Sequence, residues 1–309
     1  MDESKHINIK YFRKLPKSDL HNHCLLGGKK IVIERFLGRP LAPFKMSGQG
    51  IGALNEWIKT EFRPIFDLPG AFEEAVVAAF LQARDDGIRV LEMSIDVCFG
   101  KLFGPPPEKI AQILDYYHKK ILPEAIFRPE LGLGRNQPVV ILMKCFESFL
   151  GVGYFQSIDL YDDESAQPVE NFRPVFQIAR QLGMKCKAHV GEFGSAESIR
   201  TAVEVLHLDA VQHGISAVES PDVMRWLASA QIPLNICPTS NIRMLRARTY
   251  RTHPIRQLFD NGVIVTIGTD DALIFGDGTS EQYMKLYKNK AFSLDELDII
   301  RRNGLDSHG

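Results

Sequence analysis

Ser18-Asp19-Leu20-His21-Asn22-His23 reads as a first β-strand, entered through Leu15-Pro16-Lys17. Side chains at i and i+2 of a strand leave the same face. His21 and His23 therefore project together at the strand's C-terminal end. Two adjacent imidazoles suit a divalent transition metal. Two unrelated surface or core histidines are the plain alternative, and the rest of the chain decides between them.

Seven further short apolar runs follow: 89–96, a stretch within 127–135, 154–160, 185–191, 210–213, 232–237 and 263–268. Most are followed by a helical pattern. The clearest is the amphipathic run 71–86 (AFEEAVVAAFLQARDD), with Gly87 placed to stop it. Further helices are expected over 108–122, 139–150, 171–182, 196–206, 220–230, 254–261 and 294–303. A polar lead-in occupies 1–16. Residues 31–70 read as helical and irregular cover anchored by Trp57, Phe62 and Phe66, and 101–107 as a Gly/Pro loop. Alternating strands and helices imply a parallel α/β fold. Eight units favour a closed TIM (β/α)8 barrel, with 1–309 as a single domain. An open doubly wound sheet is the competitor, but no glycine-rich phosphate loop follows the first strand.

The 309 residues are 45% hydrophobic with a formal net charge of -1, which excludes any global attraction to nucleic acid or an anionic membrane. No apolar run reaches ~18 residues. The N-terminus, Met1-Asp2-Glu3-Ser4-Lys5-His6, lacks the basic-then-apolar layout of a signal peptide. The five cysteines, 24, 98, 145, 186 and 237, are scattered among apolar residues with no CxxC pair. Reduced, buried thiols in a cytoplasmic protein are expected, and a thiolate zinc site is not.

Polar residues fall repeatedly at strand ends. His21 and His23 end the first strand, and His189 ends the fifth, with Glu192 three residues later. His213 ends the sixth, and Asp270 and Asp271 follow the eighth. Singly, a strand-end His is filler and an Asp a helix cap. In a parallel barrel, all these ends meet at one face. Three imidazoles and a carboxylate would hold a zinc-like ion with one position left for water, which the metal activates near neutral pH. Glu192 and His213 remain as acid/base groups and Asp271 as an orienting acceptor. The chemistry so implied is hydrolysis at an sp² carbon bearing nitrogen.

The ordered motifs LPKSDLHNH, KAHVGE, QHG, CPTSN and GTDD resemble those of the adenosine deaminase family, from Leu15 to about Asn303. The resemblance implies a (β/α)8 barrel with one Zn2+ at its C-terminal mouth and a small-molecule purine substrate. By matching position it implies His21, His23, His189 and Asp270 as metal ligands. Glu192 would protonate the ring nitrogen beside the attacked carbon, and His213 would orient or deprotonate the water. Asp271 would hydrogen-bond the purine, and Ser240 would support a metal-bound or catalytic group. Gly191, Tyr161 and Asp162 are expected along the substrate.

Three departures stand out. Family members acting on adenosine usually follow the histidines with a Leu-Asp-Gly or Leu-Glu-Gly turn; here the turn is Cys24-Leu25-Leu26-Gly27-Gly28, one residue longer and without the acid. Where the family's fourth strand often ends Asp-Leu-Ala-Gly-Asp/Asn-Glu, this chain has Asp159-Leu160-Tyr161-Asp162-Asp163-Glu164. The chain also ends soon after Arg301-Arg302-Asn303, where the family usually continues with another helix. A basic segment, Arg243, Arg246, Arg248 and Arg251, follows CPTSN. Arg246 and Arg248 are candidates for receiving phosphate, against the plainer reading of a salt-bridged loop. The expected activity is zinc-dependent deamination of adenosine or a related adenine nucleoside or nucleotide. The alternatives are another amino-heterocycle, such as adenine or a pterin, and a purine-binding regulatory protein.

Overall fold

Alternation along the short runs sets both faces of the sheet. Leu91, Leu131, Ile158, Cys186, Val211, Leu234 and Val265 are buried in the apolar shell beneath the helices. Their polar neighbours turn to the other side, as period-2 strands require. The computed structural model describes residues 7–48, 50–102 and 104–306. Its strands are β1 (Lys17–Asp19), β2 (Ile88–Asp96), β3 (Ile126–Gly134), β4 (Ser157–Tyr161), β5 (Lys185–Val190), β6 (Ala210–His213), β7 (Leu234–Ile236) and β8 (Val265–Ile267). They form one eight-stranded sheet in chain order, and every neighbouring pair is parallel. Asn22 and Asp270 form a parallel bridge, and Asp270 N donates to the His21 carbonyl at 2.8 Å. That joins the ends of β8 and β1 and closes the barrel.

The lumen below the mouth is polar rather than filled with branched aliphatics. Lys187 Nζ lies 2.7 Å from Glu92 and 2.6 Å from Glu130, and Ser157 donates to Glu130 at 2.7 Å. Gln212 and Asn235 donate to the Leu20 carbonyl at 3.2 and 3.4 Å. Glu92 of β2 thus joins Lys187 and Glu130 in an ionic plug under the mouth.

Several local expectations are corrected. The lead-in is not irregular throughout: Ile9–Lys14 is a helix whose N-cap Asn8 accepts from Lys10 N at 2.9 Å. Residues 1–6 lie outside the described residues. The expected Gly/Pro loop at 101–107 is entered by a short helix, Phe99–Leu102, and Pro107 already opens the helix Pro107–Ile121. The cover consists of Lys30–Leu37, Gly52–Trp57 and a π turn, Ile58–Phe62, running into a 3-10 turn, Arg63–Asp67. The helix Thr279–Lys288 was not foreseen. It buries Ser280 and Gln282, so no apolar period marks it, and its cap is remote: Asp86 accepts from Thr279 N at 2.9 Å. His118, in the helix Pro107–Ile121, is half-buried; it stacks on Phe80 at 5.9 Å and donates to the Ala125 carbonyl. All five cysteines are free and buried. Among the described residues no helix is long and apolar enough to cross a membrane.

Candidate active site

Local backbone geometry gathers the site at the C-terminal ends of the strands. The β5–β6 register puts Gln212 beside His189, so simple alternation would aim His213 the other way. His213 instead takes φ 64°, and its ring lies 4.5 Å from that of His21. Asp270 has φ 59° and Gly191 φ 74°. Non-glycine residues rarely take this region, and they concentrate at functional sites. Gly268 lets the chain pass His21 closely, since a Cβ there would come within 2.7 Å of His21 Cβ.

His21 and His23 each bring Nε2 up to that of His189. Nε2 of His189 is 3.0 Å from that of His21 and 3.2 Å from that of His23. Asp270 Oδ1 is 3.3 Å from His23 Nε2 and 3.8 Å from His21 Nε2. Two donors each ~2.05 Å from an ion at a tetrahedral angle stand about 3.3 Å apart, so the set fits a first-row divalent metal. The far nitrogens support this: Nδ1 pairs with the Asn235 carbonyl (His21, 3.0 Å), Ser94 Oγ (His23, 3.0 Å) and Asp159 (His189, 3.2 Å). Such partners hold the Nδ1–H outward and the Nε2 lone pair inward. Burial, with His213 and His189 nearby, drives the His21 pKa well below its ordinary value and keeps it neutral. Burial opposes ionisation of Asp270, but a hydrogen bond from a protonated His23 Nε2 holds its carboxyl well below the usual range and, against burial, raises His23 to about 10; a bound ion would take the place of that proton.

His213 also lies close enough to complete a cluster with His21, His189 and Asp270. Two details separate it from the others. Its Nε2 faces the other Asp270 oxygen, Oδ2, at 3.7 Å, and Glu192 Oε2 at 3.4 Å. Its Nδ1 takes a hydrogen bond from the Asn241 amide at 3.1 Å. Burial lowers its pKa to about 3, so the ring is neutral. Burial, then the charges of Asp270 and Glu164, raise Glu192 well above the ordinary carboxyl value, which favours its protonated form beside the cluster. Burial and Asp270 push Asp271 to about 7, and its Oδ1 is buried without a partner.

These groups floor a cavity of about 420 Å³, within the usual range for small-molecule sites. His23, His189, Glu192, His213, Ser240, Asp270, Asp271, Tyr161 and Asp162 all line it. Gly191, Arg246 and Arg248 do not. Gly191 N donates to Glu164 at 2.7 Å, so its amide is already used. Arg246 Nε donates to the Glu192 carbonyl at 2.8 Å and its guanidinium covers Phe193, which makes it a brace for that loop. Arg248 is exposed.

The family model described as Adenosine deaminase matches residues 152–308. A putative adenosine/adenine deaminase from Treponema pallidum is 32% identical over 275 residues, covering 89% of this chain and 92% of that protein. The chain belongs to the adenosine deaminase family. Within that family it is a metal-dependent hydrolytic deaminase. Two solved structures share the fold. An adenine deaminase from Arthrobacter aurescens superposes with TM-score 0.84 at 23% identity, over 94% of this chain and 93% of that one. An amidohydrolase from Burkholderia ambifaria with bound Zn gives TM-score 0.81 at 21% identity, over 99% and 90%.

Against this adenosine deaminase frame, two residues matter that sequence reading passed over. Asn241, quoted only as the last residue of CPTSN, joins Glu192 to His213. Glu164, quoted only as the end of a motif, takes hydrogen bonds from Gly191 N, Glu192 N and Phe193 N at 2.7, 2.9 and 2.7 Å. Ser240 reaches the cavity, but the supporting bonds to the acid and the imidazole come from its neighbour. An amide directly after a candidate site residue was the available signal for Asn241; nothing local marked Glu164.

Proposed function

We propose that the chain is a zinc-dependent deaminase of an adenine-type ring, with His21, His23, His189 and Asp270 holding one ion. The observation that carries this reading is the approach of the His21 and His23 Nε2 atoms to that of His189, with an Asp270 oxygen beside His23, next to the buried Glu192 carboxyl. When bound, the ion supplies an activated water near neutral pH. Glu192 passes its proton to the ring nitrogen next to the amino-bearing carbon. His213 presents Nε2 to the same space and orients the attacking water. Asp271 aims its unpartnered Oδ1 at a ring N–H or nitrogen. The carbon gains oxygen and the amino group leaves as ammonia.

The names of the relatives, adenosine/adenine deaminase and adenine deaminase, support an adenine-type ring. The test is metal analysis paired with an ammonia-release screen over adenine, adenosine, AMP, guanine and a pterin. One equivalent of metal with ammonia from an adenine compound supports the reading. A fully loaded protein that releases ammonia from none of them overturns it.

A further inference from the structure

The cavity has two kinds of wall. Its floor is titratable; its roof is hydrocarbon. Leu25 and Leu26 come from the turn after His23, while Ile51, Leu54, Ile58 and Phe62 come from the cover. The turn is closed by Leu26 N donating to the His23 carbonyl at 2.8 Å, and Leu25 is only 9% exposed, so these side chains are held in place.

Polar groups on the walls are largely engaged with one another. The Tyr161 hydroxyl donates to Asp96, and burial together with Asp96 keeps that phenol protonated. Asn55 donates to Asp162 at 2.9 Å, tying the cover to the rim of β4. Ser94 is taken by His23. Among the described lining residues Arg63 is the only Lys or Arg, and it is exposed at the rim. The carboxyls of Asp96, Asp162 and Asp271 face the same space.

The reacting carbon must sit at the floor, so the rest of the molecule points into the roof. Sugar hydroxyls set against the Leu25, Leu26, Ile51, Leu54, Ile58 and Phe62 side chains would shed water without gaining partners from them, and the polar lining residues lie at the edge of that hydrocarbon face. A phosphate would meet carboxylates rather than a guanidinium cluster, because Arg246 lies behind the Glu192 loop. We infer that the preferred substrate is an adenine-type base bearing an apolar substituent on the side remote from its amino group, not a free nucleoside or nucleotide. This rests on the deaminase reading above and specifies its substrate class.

The experiment uses the zinc-loaded protein with 9-methyl-, 9-ethyl-, 9-propyl- and 9-butyladenine beside adenosine and AMP. Ammonia release gives kcat/KM, and calorimetry gives Kd. Burying each methylene is expected to improve both by ~4-fold, with 9-butyladenine ahead of adenosine and AMP by at least ~10-fold. Leu54→Ser and, separately, Leu26→Ser are expected to flatten the series, because both side chains line the roof that each added methylene would bury. A flat series, or adenosine or AMP preferred over 9-butyladenine, overturns the inference and leaves the deaminase reading standing. A Kd series with the expected slope but no ammonia supports the inference and overturns the deaminase reading. Neither binding nor ammonia overturns both.

Discussion

The Asn241 amide nitrogen lies 2.9 Å from Glu192 Oε1 and 3.1 Å from His213 Nδ1. One NH2 group thus sets two reacting side chains relative to each other, and the side chain is fully buried. Donation to Nδ1 leaves the proton of the neutral ring on Nε2, facing Asp270 and Glu192. Asn241→Ala is expected to lower kcat by ~10- to 100-fold, the scale of one misplaced acid/base group, with KM and metal content nearly unchanged. Asn241→Asp adds a negative charge beside Glu192, which raises that carboxyl's pKa further and moves the alkaline limb of kcat to higher pH. Steady-state kinetics across pH on both variants, with metal analysis, checks this.

Glu192 is the group whose ionisation should end activity at high pH. Burial and its acidic neighbours raise its pKa, so it keeps its proton at neutral pH. As pH rises through that raised value the acid is lost, and kcat falls. His213, lowered to about 3, contributes no limb above that value. Glu192→Gln keeps the shape and the bond to Asn241 but has no proton to give. The expected result is full metal occupancy, with turnover down by ~100-fold or more.

Removing the ion should cost stability as well as activity. The donors lie on β5 and beyond the ends of β1 and β8, so a bound ion ties three parts of the barrel together. A ligand at ~1,000 times its Kd stabilises the folded state by about 4 kcal/mol. Chelation is expected to lower Tm and re-addition of zinc to restore it. His189→Ala should lose both the metal and the Tm response. An unchanged Tm across chelation, with metal shown to be gone, contradicts the assignment.

Glu164 holds the loop carrying Glu192 by accepting from three consecutive amides. Hydrogen bonds to a charged acceptor are each worth about 1.5–3 kcal/mol. Glu164→Ala strips all three at once and is expected to lower unfolding free energy by about 2–4 kcal/mol, after partial rehydration of the amides. Because the same loop aims the acid, kcat should fall with it. Glu164→Gln keeps one oxygen and should lie between. Urea denaturation and kinetics on the same preparations test both.

What could be read from the chain divides along a physical line. The eight strands, and helices such as 196–206, were legible because apolar periodicity records them directly. His21, His23, His189, His213 and Asp270 were legible because strand ends of a parallel barrel meet whatever lies between. Thr279–Lys288 was not, because it buries polar side chains and takes its cap from Asp86, far away in sequence. The direction of Arg246 could not be read from the chain for a related reason. A basic run shows charge but not direction, and this guanidinium folds back on Phe193 instead of entering the cavity.

The ionic plug under the mouth offers a sharper test of how the barrel is held. Lys187 is 3% exposed and contacts Glu92 and Glu130. Burial works against its charge, but Glu130 and Glu92 hold its pKa above the ordinary value. Removing one partner of a buried ion pair costs about 3–5 kcal/mol, because the remaining charge is stranded. Lys187→Met strands Glu130, which burial already raises to about 7, and leaves Glu92 with Arg128 at 3.2 Å, so the folded-state pKa values of both rise further. Stability is therefore retained at low pH, where both are protonated, and lost as pH climbs through the raised values. The deficit of Lys187→Met relative to wild type should be larger at pH 8 than at pH 5. Adding Glu130→Gln should recover at least half of it, since Glu92 keeps its pair with Arg128 and the stranded carboxylate is gone. Denaturation midpoints at the two pH values decide it; an equal deficit at both would mean that the methionine fails by shape rather than by charge.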